Sequence, residues 1–182
     1  MKTIKLLAVL FISTLVFTAC SDEDPEEGHE EEVITTMTIT LTPGNDGEVI
    51  TLMTQDLDGD GPDAPVVTVS GNLATGTTYT GAITLLNELE DPAEDITEEI
   101  EEEAEEHQFF FTSTNDGVSI TYNDDDSNGN PLGLDFTLST TDAGTTSFTV
   151  VLKHEPTKPN DGTSEGAGGS TDIEETFDLT IE

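Results

Sequence analysis

The sequence has no arginine, no tryptophan and a single cysteine, and it sets four lysines against 40 acidic residues over 182 positions, for a formal net charge of −36. Such a surface excludes binding of DNA or RNA through phosphates. The same deficit argues against sites for nucleotides and phosphorylated substrates, which lean on Arg and Lys. With no Trp, and only Tyr79 and Tyr122, a sugar-stacking platform is disfavoured. One cysteine means no intrachain disulfide, so an apolar core or a bound metal must hold the fold. No GxSxG, HExxH, glycine-rich phosphate loop or cysteine nucleophile occurs, so no enzyme is expected. Carboxylate pairs of the glycosidase kind carry no weight among so many acids. The partners that suit this charge are cations and basic protein patches.

The cysteine, Cys20, ends an N-terminal pattern. Lys2 and Lys5 make a short positive start. Leu6 to Phe17 is an apolar run shorter than the roughly 20 residues a membrane span needs. Thr18 and Ala19 then lead directly into Cys20, with Phe17 standing where lipoprotein signals place Leu. A lone cysteine in an exported chain raises the question of an unpaired thiol. Lipidation answers it. Residues 1–19 are expected to be a lipoprotein signal peptide, and Cys20 the mature N-terminus carrying diacylglycerol and acyl (palmitate) chains. Each buried acyl CH₂ contributes about 0.8 kcal/mol, and several chains together hold stably. Removing 19 residues from 182 leaves 163, and losing Lys2 and Lys5 takes the net charge from −36 to −38.

Residues 20–32 form an acidic tether that, with Pro25 and Gly28, cannot bury itself. Acids just after the cysteine resemble the surface-export signal of Bacteroidota lipoproteins. That resemblance implies lipid anchoring on the outer face of the outer membrane.

From Val33 to the end, residues 33–182 read as one domain. Met37, Ile39 and Leu41 alternate with threonines, which is the period of a half-buried strand. Pro43 to Gly47 is a turn. Further strands are expected over 48–55, 66–69, 77–86, 107–112, 118–123, 134–139, 146–154 and 175–181. On the 77–86 strand, Tyr79, Gly81, Ile83 and Leu85 share one face. Residues 91–106 are the exception, an acidic helix with Ala93, Ile96, Ile100 and Ala104 as a thin apolar stripe. Its i,i+4 glutamate pairs each cost about 0.2–0.5 kcal/mol. A long polar loop separates His154 from Asp172. This spacing predicts an all-β antiparallel β-sandwich with an immunoglobulin-like Greek key, a closed β-barrel being the alternative.

Two kinds of metal site stand out. Asp124, Asp126, Asn128, Gly129 and Asp135 occupy positions 1, 3, 5, 6 and 12 of a calcium loop, although the last acid is Asp and the flanks read as strands. Asp56, Asp58 and Asp60 begin a second such loop, with Val67 at its twelfth position. Both also read as Asx- and Gly-rich hairpin turns. The other kind involves histidine. His107 shares strand parity with Phe109 and Phe111, and His154 with Phe148, Val150 and Leu152. If those faces point inward and the strands pair antiparallel, both histidines meet at one sheet end beside the glutamate-rich helix. Imidazoles with Glu103 and Glu106 suit zinc or another first-row metal. His29 also has a glutamate neighbour, but no HxH, HxxxH or HExxH spacing is present.

Several stretches together resemble a family of small acidic lipoproteins from Flavobacteriia and related Bacteroidota. They are Leu41 to Gly47, Gln55 to Gly61, Leu73 to Glu88, Ile96 to Phe111, Pro131 to Leu134, Lys153 to Pro156 and Thr171 to Ile181. Some members carry the label of a type 1 periplasmic binding fold. That fold has two doubly wound α/β lobes, and this chain is too short and too β-rich for it. The resemblance implies kinship without a mechanism. In that lineage such lipoproteins often work beside TonB-dependent outer-membrane transporters. The expectation is therefore a non-enzymatic surface binding module, with metal capture beside such a transporter as its concrete form. The alternative is a structural or adhesive module stiffened by calcium.

Overall fold

The structure, a computed structural model, describes residues 32–59 and 61–182. Cys20, the signal segment, the tether up to residue 31, His29 and Asp60 lie outside the described residues.

The chain runs β1 (Thr36–Pro43), β2 (Ile50–Gln55), β3 (Val66–Val69), β4 (Thr78–Asn87) and β5 (Glu94–Asp95), then α1 (Ile96–Glu102). It continues through β6 (His107–Ser113), β7 (Val118–Tyr122), β8 (Asp135–Thr140), β9 (Gly144–His154), α2 (Ser164–Ala167) and β10 (Ser170–Ile181). Every strand–strand pairing is antiparallel. One sheet has the order β3-β2-β1-β4-β8-β7, with β5 paired to the end of β4, and the other has β10-β9-β6. Neither sheet closes on itself, so the fold is a sandwich and not a barrel. The order β1-β4-β8-β7 against β10-β9-β6 is the A-B-E-D and G-F-C order of an immunoglobulin constant-type sandwich. The β2–β3 hairpin is an addition on the outer side of β1.

The core follows from the alternation. Met37, Ile39 and Leu41 of β1, Tyr79, Ile83 and Leu85 of β4, and Phe136 and Leu138 of β8 point inward from one sheet. Phe109, Phe148, Val150, Leu152, Phe177 and Leu179 meet them from the other. Phe111 joins the layers, with its ring 4.5 Å from Phe136 across the sandwich and stacked 6.0 Å from Phe148 on its own sheet. Such aromatic contacts add to what area burial alone supplies.

The helix is shorter than expected. It begins at Ile96, where Asp95 caps it by accepting a hydrogen bond from the Thr97 amide, and it ends at Glu102. Glu94 and Asp95 cannot join it because they pair with Asn87 and Leu86 of β4. Ile96 and Ile100 are buried as the stripe requires, while Ala93 is exposed outside the helix. Seven residues leave Glu98 and Glu102 as the one helical i,i+4 glutamate pair, so the short length spares the chain most of the repulsion. The loop after β9 is tied down. Thr157 donates to the Ala167 carbonyl, Asn160 donates to Gln108, and α2 packs Ala167 against Phe110 and Val151 on the sheet's outer face.

Gly81 pairs directly with Phe136, whose ring covers it; a Cβ there would lie 2.4–2.7 Å from three ring atoms. Phe136 is fully buried and has nowhere to move. Gly81→Ala is therefore expected to cost about 1–3 kcal/mol through overpacking. Urea titration should show a lower midpoint at unchanged slope.

Candidate metal centre

His107 opens β6 and His154 closes β9. The register sets them directly opposite each other, at the end of a ladder that also pairs Phe109 with Leu152 and Phe111 with Val150. Inward parity carries both rings into the end of the core, where they stack with centroids 4.7 Å apart and planes 25° apart. His107 is wholly buried and His154 is 5% exposed.

The tautomer of His107 follows from its neighbours. Its Nδ1 lies 3.2 Å from the carbonyl oxygen of Glu103 in the turn after α1. A carbonyl only accepts, so Nδ1 carries the proton, and in the neutral ring Nε2 presents a lone pair. That lone pair faces carboxylates. Glu32 Oε1 is 3.0 Å from Nε2, and Asp172 Oδ2 is 4.0 Å away. The 3.0 Å approach is not aligned as a hydrogen bond. His107 Nε2 and Glu32 Oε2 are both buried without a hydrogen-bond partner among the described residues. Glu32 Oε2 lies 3.8 Å from Nδ1 of His154. The Glu32 side chain is only 7% exposed and that of Asp172 1%.

Glu32, His107 and His154 bring one ligand atom each to within 4.8 Å of one another. A tetrahedral zinc ion with bonds of about 2.0–2.2 Å sets its ligand atoms about 3.3–3.6 Å apart. The two histidines approach the two different oxygens of Glu32, at 3.0 and 3.8 Å, and the three ligand atoms within 4.8 Å would draw together around such an ion. The Nδ1–H bond to the Glu103 carbonyl is the kind of outer contact that orients a metal-binding histidine. On its other edge, His154 Nε2 is 3.9 Å from Glu106 Oε2, and Glu106, His154 and Glu155 form a second cluster.

Three elements supply these residues. Glu32 comes from the segment before β1, which the sequence reading assigned to the tether. The segment is held where Thr35 donates to the Leu86 carbonyl and accepts from the Asp56 amide. Asp172 is the extra residue where the β10–β9 register shifts between Thr171 and Ile173, and such a bulge re-aims a side chain. Glu155 has φ of +50°, so the chain bends sharply just after His154, and its amide donates to the Glu106 carbonyl. Glu103 enters through its backbone oxygen and not, as expected, through its carboxylate.

The calcium loops are built differently from the expectation. Asp124 spends Oδ1 on the Gly133 amide and Oδ2 on the Asp135 amide. Asp126 accepts from the Asn128 and Asn130 amides and the Asn130 side chain. The cation beside it is Lys158, whose ammonium donates to Asp126 Oδ2 at 3.3 Å and to the Ala104 carbonyl at 2.6 Å. The Asn128 amide, not its side chain, makes the bond to Asp126, and Asp135 accepts from Asn123. Among the described residues, no three of these acids converge on one point. The 124–135 loop instead forms one wall of a 590 Å³ cleft whose other wall includes Glu101, Glu102 and Glu105. In the other loop, Asp56 accepts from the Asp58 and Gly59 amides as an Asx turn.

The field here is strongly negative. Partial burial and the carboxylates of Glu94, Glu32, Glu103 and Glu102 push Glu99 above its ordinary value. Burial also works against the charge of Asp126, but the hydrogen bonds from Asn130, Asn128 and Lys158 outweigh it and hold the carboxyl down at about 2. Comparison with protein-family models, curated proteins and solved structures gave no match.

Asp126 and Lys158 expose 1% and 6% of their side chains. Lys158→Met should cost about 3 kcal/mol by stranding a buried carboxylate, whereas Asp126→Asn combined with Lys158→Met should cost less than the two singles summed. Because Asp126 is depressed in the fold, its contribution is present above about pH 4 and is lost as the pH falls toward 2. The stability gap between wild type and Asp126→Asn should therefore close over that window in acid titrations followed by circular dichroism.

Proposed function

We propose that this chain is a lipid-anchored, acidic surface module of the bacterial outer membrane that binds a divalent transition metal and catalyses no reaction. The observation that carries the reading is that His107 Nε2 and Glu32 Oε2 are buried with no hydrogen-bond partner among the described residues, grouped with His154 within 4.8 Å. A buried lone pair facing a carboxylate is costly unless a cation sits between them. Imidazole with carboxylate favours zinc, copper or nickel over calcium, which prefers six or more oxygens. Asp172, 4.0 Å from His107 Nε2, adds a further carboxylate beside this group. The surrounding carboxylates raise the local concentration of cations.

The anchor belongs to the same reading. Cys20 holds the module at the membrane, and the acidic residues after it direct it to the cell surface. Zinc-type capture next to a TonB-dependent transporter fits this place. The calcium-stiffened structural alternative draws no support from the 124–135 loop, whose carboxylates are engaged with backbone amides and Lys158.

Elemental analysis of the protein purified without chelator should find about one zinc or copper per chain. His107→Ala should lose it. Calcium alone, with a rise in melting temperature that disappears in Asp124→Ala, would reverse the reading toward the structural module. For the anchor, Cys20→Ala should abolish incorporation of labelled palmitate and release the protein from the membrane fraction. Continued labelling would place the acyl chain elsewhere.

A further inference from the structure

His154 is buried between two donor sets, one on each edge of its ring. On the Nδ1 edge lie Glu32 and His107, at the end of the core. On the Nε2 edge lies Glu106, with 51% of its side chain exposed, and Glu155, also exposed, groups with it and the same histidine. Building on the metal-binding reading, we infer that the ion has two positions. The exposed Glu106–His154–Glu155 cluster is a loading position, and the buried Glu32–His107–His154 cluster is the holding position. One ion passes from the first to the second across the His154 ring.

Three features support this. The buried cluster is closed to solvent, because His107 is 0% exposed and Glu32 7%, so an ion needs a route in. The exposed Glu106 carboxylate faces the other nitrogen of the shared ring, Nε2, at 3.9 Å. The Glu155 amide bond to the Glu106 carbonyl fixes these two acids together by their backbones.

The shared ring also sets the stoichiometry. A neutral imidazole has one lone pair, so it ligates through Nε2 or through Nδ1, but not both. With the ion outside, Nδ1–H faces Glu32 Oε2. With the ion inside, Nε2–H faces Glu106 Oε2. Transfer inward moves the ring proton from Nδ1 to Nε2, with no net gain or loss of protons. In either position the ring N–H is left facing a carboxylate that does not ligate the ion.

The test uses the full-length chain in detergent, with zinc and cobalt as probes. Calorimetry should give one zinc per chain. The double variant Glu106→Gln/Glu155→Gln should still hold one zinc with affinity within about threefold of wild type, but take it from a chromophoric zinc indicator at least about tenfold more slowly. Glu32→Gln should load at the wild-type rate yet bind at least about tenfold more weakly. Both changes are isosteric, and thermal melts check folding.

A readout on unaltered protein accompanies them. Cobalt absorption should develop in two phases, the first linear in cobalt concentration and the second independent of it. Two zinc ions bound at once, wild-type loading by the double variant, or a single cobalt phase would each overturn the two-position proposal while leaving metal binding intact. No zinc binding by wild type would sink the underlying reading instead.

Discussion

The pairing of β6 with β9 is the constraint on which the rest of the site depends. Its register is held by Phe109 against Leu152 and Phe111 against Val150, all on the inward face. A slip of one residue would turn every one of those side chains to the wrong side of the sheet. Because the apolar pairs cannot slip, His107 and His154 cannot either. Two histidines 47 positions apart in sequence are stacked at the end of the ladder by the burial of their apolar neighbours. The bond from His107 Nδ1 to the Glu103 carbonyl then orients one ring, and α1 positions that carbonyl by docking Ile96 and Ile100 on the core.

Charge is the second constraint. Beyond Cys20 the strong bases are Lys153 and Lys158, and both are engaged within the protein. Lys158 is buried against Asp126 and the Ala104 carbonyl, and Lys153 bonds Thr171. The fold has no spare cation with which to neutralise the carboxylates around the histidines. A divalent ion would supply one, and any ligand that binds only the folded state adds stability, about 2.7 kcal/mol at a hundred times its dissociation constant. Holding the ion and holding the end of the sandwich together are then the same interaction.

Much of this architecture was legible in the chain. The Met37, Ile39, Leu41 alternation, the Tyr79 to Leu85 face and the Asn/Asp/Gly turns located strands and sheet faces, because strand period and turn stereochemistry are local properties. Parity alone placed His107 and His154 on the core side, and their meeting needed one further assumption, antiparallel pairing. The calcium loops show the limit of spacing arguments. Asp124 and Asp126 stand at ligand positions, yet a carboxylate at a turn satisfies a backbone amide as readily as an ion, and sequence spacing does not distinguish the two. No spacing rule could have pointed to Lys158 as the cation beside Asp126.

The sequence by itself determined the acidic surface, the all-β class and the inward face on which both histidines sit. Only the tertiary structure decided which groups surround the two histidines. Glu32 read as one more acid in a charged run and carried no periodic signal, since it precedes the first strand. Asp172 read as a loop residue and entered the site through a bulge, which breaks the very periodicity that sequence reading relies on. Glu103 contributes a carbonyl oxygen that every residue type possesses. These contacts join residues far apart in the chain, and they exist only after two sheets have packed and closed one end of the core. Local pattern determines which way a side chain faces, but long-range packing decides what it meets there.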